Sequence, residues 1–213
     1  MKTSFFIISI SVCCAAFVSA QVSQIKIGTA TTFGVKAGLN LSNVYDIQSE
    51  NFVASSSFGF AGGGFVTIPF NEYFAVQPEV LFSQKGFKAT GTMLGSNYTF
   101  EKTTNFLDIP LLAVFRPIKF VSIVFGPHFS FLMSEKNNFN SALINTMQQQ
   151  QFNDDTVREN IFGLTAGADF NITDSALIGL LAGWDLQKNN SDGSSNTPPY
   201  RNVWYQLTAG YRF

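Results

Sequence analysis

The sequence predicts an all-β chain: an eight-stranded antiparallel up-and-down transmembrane β-barrel, preceded by a cleavable signal peptide. Three observations predict it. Eight segments alternate apolar and polar residues with period two. The connections between them are alternately short and long. The polar strand face is crowded with glycine, while the apolar face carries the bulk.

The chain opens with MKTSFFIISISVCCAAFVSA, one basic residue followed by an apolar run from Phe5 to Val18. Small residues at Val18-Ser19-Ala20 fit a signal-peptidase site, and the run is short for a membrane helix. Cleavage is therefore expected between Ala20 and Gln21. That gives a signal peptide over 1–20, a short periplasmic segment over 21–32 and a barrel domain over 33–213. Cys13 and Cys14 both lie in the leader. Neither follows the small residue that a lipid-attachment site requires, and the exported chain would hold no disulfide or thiolate metal site. Without Lys2, 12 basic residues face 14 acidic ones, so no basic surplus exists for nucleic acid. Charged residues make up only 13% of the chain and Phe contributes 24 residues. A soluble domain carries about twice that charge, so a chain this apolar, without a spanning helix, must hide its surface another way.

The segments fall at about 33–42, 57–68, 74–87, 98–116, 120–133, 160–172, 175–187 and 202–213. In the first, Phe33, Val35, Ala37, Leu39 and Leu41 oppose Gly34, Lys36, Gly38, Asn40 and Ser42. The second is the glycine-rich stretch containing GFAGGGFV; it lacks the Lys and helix of a phosphate loop and reads as tight strand packing. The third, fourth and fifth place Gln77, Glu79, Lys85, Asp108, Arg116, His128 and Ser130 on one face. The sixth sets Phe162, Leu164, Ala166, Ala168 and Phe170 against Gly163, Thr165, Gly167 and Asp169. The seventh sets Ile178, Leu180, Ala182 and Trp184 against Gly179, Leu181, Gly183 and Asp185. The eighth is NVWYQLTAGYRF, whose small and polar face carries one large exception, Trp204.

PFNEY (69–73), PIK (117–119) and TD (173–174) read as tight turns. The stretches 43–56, 88–97, 134–159 and 188–201 read as long polar loops. Such alternation fits a meander through a bilayer, with both termini on the short-turn, periplasmic side. Whether SALINTMQQQQ in the longest loop forms a short helix or a mobile segment is open.

A soluble lipocalin-like barrel would also alternate, with its apolar face inward. Glycine decides between the two. It weakens a strand and has no use on a wetted wall, but it makes room in a narrow eight-stranded lumen. The bulky face then points outward, toward lipid. Tyr73, Phe74, Phe115, Phe120 and Phe213 form one expected aromatic girdle; Tyr98, Phe100, Phe129 and Trp184 form the other. The inward set holds Lys36, Lys85, Arg116 and Arg212 against Glu79, Asp108, Asp169 and Asp185, with His128 among them. Unpaired charges in a narrow lumen are costly, so a cross-barrel salt-bridge network is expected to plug the interior.

FGVKAGLNLS, VQPEVLFSQKGFK, FLDIPLLAVFRP, FGPHFSFLM, FGLTAGADF and YQLTAGYRF, in that order, resemble the PorT-like outer-membrane β-barrel family of Bacteroidota-type bacteria. The resemblance covers about 33–213 and departs from the family pattern at Asp108, Val114 and His128. It implies an eight-stranded barrel in the outer membrane, surrounded by its lipid, in a family whose founding member is associated with protein secretion. The closing aromatics Tyr211 and Phe213 resemble the signal read by the barrel-assembly machinery.

Catalysis is not expected. His128 and Ser130 share a face, but residues two apart on one strand lie roughly 6–7 Å from each other, too far for general-base contact. Asn153, Asp154 and Asp155 lack EF-hand spacing and read as a solvated loop end; no cofactor is expected. Three functions stay open: an envelope barrel recognising partners through its loops, a component of a secretion assembly, and a narrow pore or solute-binding barrel.

Overall fold

The computed structural model describes residues 30–45, 52–93, 96–141, 158–189 and 200–213. The leader with its Ala20–Gln21 junction, the MQQQQ patch and Asn153–Asp155 lie outside the described residues. Eight strands follow in chain order: β1 (Thr32–Tyr45), β2 (Phe52–Pro69), β3 (Phe74–Met93), β4 (Ser96–Ile118), β5 (Val121–Ser141), β6 (Asn160–Asn171), β7 (Ala176–Asp185) and β8 (Arg201–Arg212). Each pairs antiparallel with the next, and β8 returns to β1, closing the barrel. Closure satisfies the backbone without leaving a sheet edge around the ring.

Local chemistry makes the short turns. Asn71 Oδ1 accepts hydrogen bonds from the backbone N–H groups of Tyr73 and Phe74, both at 2.8 Å. Thr173 Oγ1 does the same for Ser175 and Ala176 at 3.2 and 2.8 Å. A side-chain oxygen standing in for a backbone acceptor is what favours these residue types in turns.

The first five strands are longer than the alternation implied, while the last three are not. β2, β3, β4 and β5 run for 18, 20, 23 and 21 residues, against 12, 10 and 12 in β6, β7 and β8. Residues 43–45, 52–56, 88–93, 96–97 and 134–141, all expected in loops, are strand. β3 reaches Met93, whose register partner is Ser96, so the connection expected to be long spans only residues 94–95. Beyond the apolar belt the outward face of the strands turns polar, while Phe87, Ala89 and Phe100 face inward. The hydropathy signal fades there while the backbone ladder continues, as at the exposed Lys88–Glu101 pair (3.2 Å).

The outer wall is apolar. Leu39, Leu207 and Leu180 stand in register across β1, β8 and β7, and each is about half exposed at 55, 52 and 49%. Phe33, Phe58, Phe125 and Tyr205 extend this surface. A continuous apolar wall of that size requires a cover. Tyr73, Phe74, Phe115, Phe120 and Phe213 are exposed around the short-turn rim, with Phe129 and Trp184 exposed toward the other end. Phe100 departs from expectation: it is buried and meets Phe87 edge-on inside the barrel, with ring centroids 6.0 Å apart.

Candidate functional site in the barrel lumen

The strand parity that turns leucine and phenylalanine outward turns the charges inward. Lys36, Glu79, Lys85, Asp108, Arg116, His128, Asp169 and Asp185 are all buried, and Arg212 is partly so. Their contacts form successive layers along the axis.

Nearest the short turns, Arg116 and Arg212 face Asp169. Asn171 Nδ2 donates to Ser122 Oγ at 3.2 Å and to the Lys119 carbonyl at 3.1 Å. In the next layer Thr67 Oγ1 donates to Gln77 Oε1 at 2.8 Å, and Gln77 Nε2 donates to Glu79 Oε1 at 2.9 Å. Glu79 also pairs with Lys36. Thr67, Gln77, Glu79 and Lys36 are thereby linked across β1, β2 and β3.

The central layer spans the barrel. Gln206 Nε2 donates to Asn40 Oδ1 (2.9 Å), and Asn40 Nδ2 donates to Ser83 Oγ (3.0 Å). Lys85 Nζ lies 3.0 Å from Asp108 Oδ2 and 3.1 Å from Ser130 Oγ. The same ammonium sits over the rings of Phe106 and Trp204, 5.0 and 5.2 Å from their centroids. Lys85 is 1% exposed; a cation at such depth needs all of these partners.

Above it, His128 places Nε2 3.1 Å from Asp185 Oδ1 and Nδ1 2.9 Å from Thr165 Oγ1. Asn202 Nδ2 donates to Asp185 Oδ2 at 2.7 Å. Glycine makes these contacts possible. A Cβ at Gly163 would overlap the His128 imidazole, and one at Gly183 would overlap the Trp204 indole. At the loop end Val44, Phe87, Ala89, Phe100 and Tyr200 pack together. Lys102 joins them, buried, with its Nζ 2.9 Å from Glu135 Oε1 and over the Tyr200 ring.

Sequence reasoning missed Lys102, Glu135, Asn202 and Tyr200 as members of this interior. Lys102 shares strand parity with Asp108 and Arg116, and that parity was the available signal. The partners of His128 are Thr165 and Asp185, while Ser130 is engaged by Lys85. A hydroxyl, an imidazole and a carboxylate in line resemble nucleophile, base and orienter. Here His128 and Thr165 are fully buried and the Trp204 ring lies 5.7 Å from the imidazole centroid. The hydroxyl is thereby closed off from solvent.

At the chain's end, Tyr211 and Phe213 both point outward with ring centroids 5.5 Å apart. The Phe213 N–H donates to the Phe33 carbonyl at 2.9 Å, which extends the ladder to the last residue.

The sequence pattern described as an outer membrane protein beta-barrel domain matches residues 20–187. Comparison with curated proteins returns no match. Similar solved structures include Ail, the attachment invasion locus protein of Yersinia pestis, at 15% identity, 85% coverage of this chain, 98% of that chain and a TM-score of 0.45. OprG from Pseudomonas aeruginosa follows at 12% identity, covering 87% of this chain and 97% of that one with a TM-score of 0.46. Neisserial surface protein A gives 11%, 86%, 99% and 0.43. At these identities the likeness concerns the fold alone.

Proposed function

We propose, given that the chain belongs to the outer membrane protein beta-barrel domain family, that it is a plugged structural barrel of the outer membrane that recognises partners at its loop end. The observation that carries this reading is the filled lumen. Layers of buried ion pairs and hydrogen bonds are followed by the Val44, Phe87, Ala89, Phe100 and Tyr200 cluster. An eight-stranded ring has room for its own side chains and little else.

Recognition at the loop end is supported by the tall side of the barrel. β2 to β5 carry the sheet well past the apolar belt, with exposed charge such as Lys88 and Glu101. The reading includes removal of residues 1–20, both termini in the periplasm, and Tyr211 with Phe213 as the feature read by the assembly machinery. It assigns no reaction and no cofactor. A PorT-like role in a secretion assembly would rest on the six sequence blocks and would appear as stable co-purification with envelope proteins.

Planar-bilayer recording tests the plug. Purified full-length protein is expected to give no stepwise conductance at neutral pH. Discrete, reproducible channel steps would replace the plugged barrel with a narrow pore.

A further inference from the structure

Among the described lumen side chains, the short-turn end holds more positive than negative charge. Lys36 is matched by Glu79 and Lys85 by Asp108. Arg116 and Arg212, by contrast, share one carboxylate, Asp169, which attracts both, and Arg116 and Arg212 repel one another. Nη1 of Arg116 and Nε of Arg212 are buried without a hydrogen-bond partner. Arg116 is 8% exposed. Asp169 does not saturate them: its Oδ1 is also buried without a partner, and its Oδ2 accepts only a long 3.5 Å bond from Gln77.

A buried guanidinium with an idle N–H loses solvation and gains nothing in return. Two guanidiniums offering donors beside one carboxylate leave a surplus positive charge. Their flat forks match an oxyanion better than a spherical ion. Arg212 is only partly buried, which leaves an approach from the rim.

We propose that Arg116 and Arg212 form a binding site for a phosphate-type oxyanion at the short-turn mouth of the barrel. Free inorganic phosphate and the phosphate of a lipid headgroup share the chemistry. The bound anion completes the charge balance and satisfies the idle N–H groups. Asp169 competes with it, because a carboxylate repels an anion while sharing its cations. The site is independent of whether the central lumen is plugged.

The full chain, folded in dodecyl maltoside micelles in phosphate-free buffer, is titrated calorimetrically with inorganic phosphate, against chloride at matched ionic strength. Saturable binding of one phosphate per barrel is expected. R116Q and R212Q should each weaken it by about tenfold or more, one charge-assisted contact being lost. D169N should tighten it, an opposite response that a general loosening of the barrel does not produce. Repeating the titration in phosphatidylglycerol vesicles separates the sources: retained binding identifies free phosphate, whereas binding seen only in micelles identifies a headgroup already seated. Heat-dependent gel mobility establishes that each variant is folded, and wild type is decisive by itself. If it responds to phosphate no differently from chloride, or if D169N weakens binding, the site does not exist.

Discussion

Replacing Asp108 with alanine is expected to lower the unfolding free energy by about 3–5 kcal/mol, the range for stranding one member of a buried ion pair. Lys85 would keep its place between Phe106 and Trp204 and its contact with Ser130, but it would lose its paired carboxylate and keep only the field of Asp185. The paired change Lys85→Met with Asp108→Leu should cost far less than the single change, because neither desolvated charge remains. Reversible urea unfolding in lipid vesicles reads both. If D108A and the double variant are equally stable, the central ion pair contributes nothing to the lumen.

The opposite wall gives the second large effect. Leu207 lies midway along β8, in register with Leu39 and Leu180 on its neighbours, all facing outward. Leu207→Arg should destabilise the barrel in vesicles by about 2–4 kcal/mol, as a cation near the bilayer midplane does. The same change at Tyr211, beside the rim, should cost much less because the cation reaches the interface. Equal penalties at the two positions would mean that no depth gradient surrounds the barrel.

The strand faces were legible because side-chain alternation is a local property. Lys36, Glu79 and Asp185 needed only the phase of their own strand to be placed inside. Their partners were not legible in the same way. His128 meets Thr165 and Asp185, 37 and 57 residues away, and that meeting depends on the register of β5, β6 and β7. A one-residue register slip would reverse every face, yet nothing local to His128 specifies the register.

Strand length failed for a different reason. Residues 88–93 and 96–101 continue the β3–β4 ladder, where polar side chains such as Lys88 now face outward and the lipid-type hydropathy pattern ends. Phe100 shows the consequence. Read from its place near the strand end it falls in a girdle, although it shares the parity of Asp108 and Arg116, and β4 carries it inward onto Phe87. The orphaned donors of Arg116 and Arg212 were also beyond reach, since a sequence shows charges but not which of them lack partners.

The orientation of the wall is the claim on which all of this depends, and two tryptophans test it. The chain has only Trp184 and Trp204; Trp184 is 38% exposed on the outside and Trp204 is 2% exposed within. Single-tryptophan forms, W204F and W184F, are reconstituted in phosphatidylcholine brominated along its acyl chains, and their fluorescence is compared with that in unbrominated lipid. Strong quenching of Trp184 with Trp204 nearly untouched is the expected result. Quenching of Trp204 with Trp184 spared would mean that the barrel is turned inside out relative to this account.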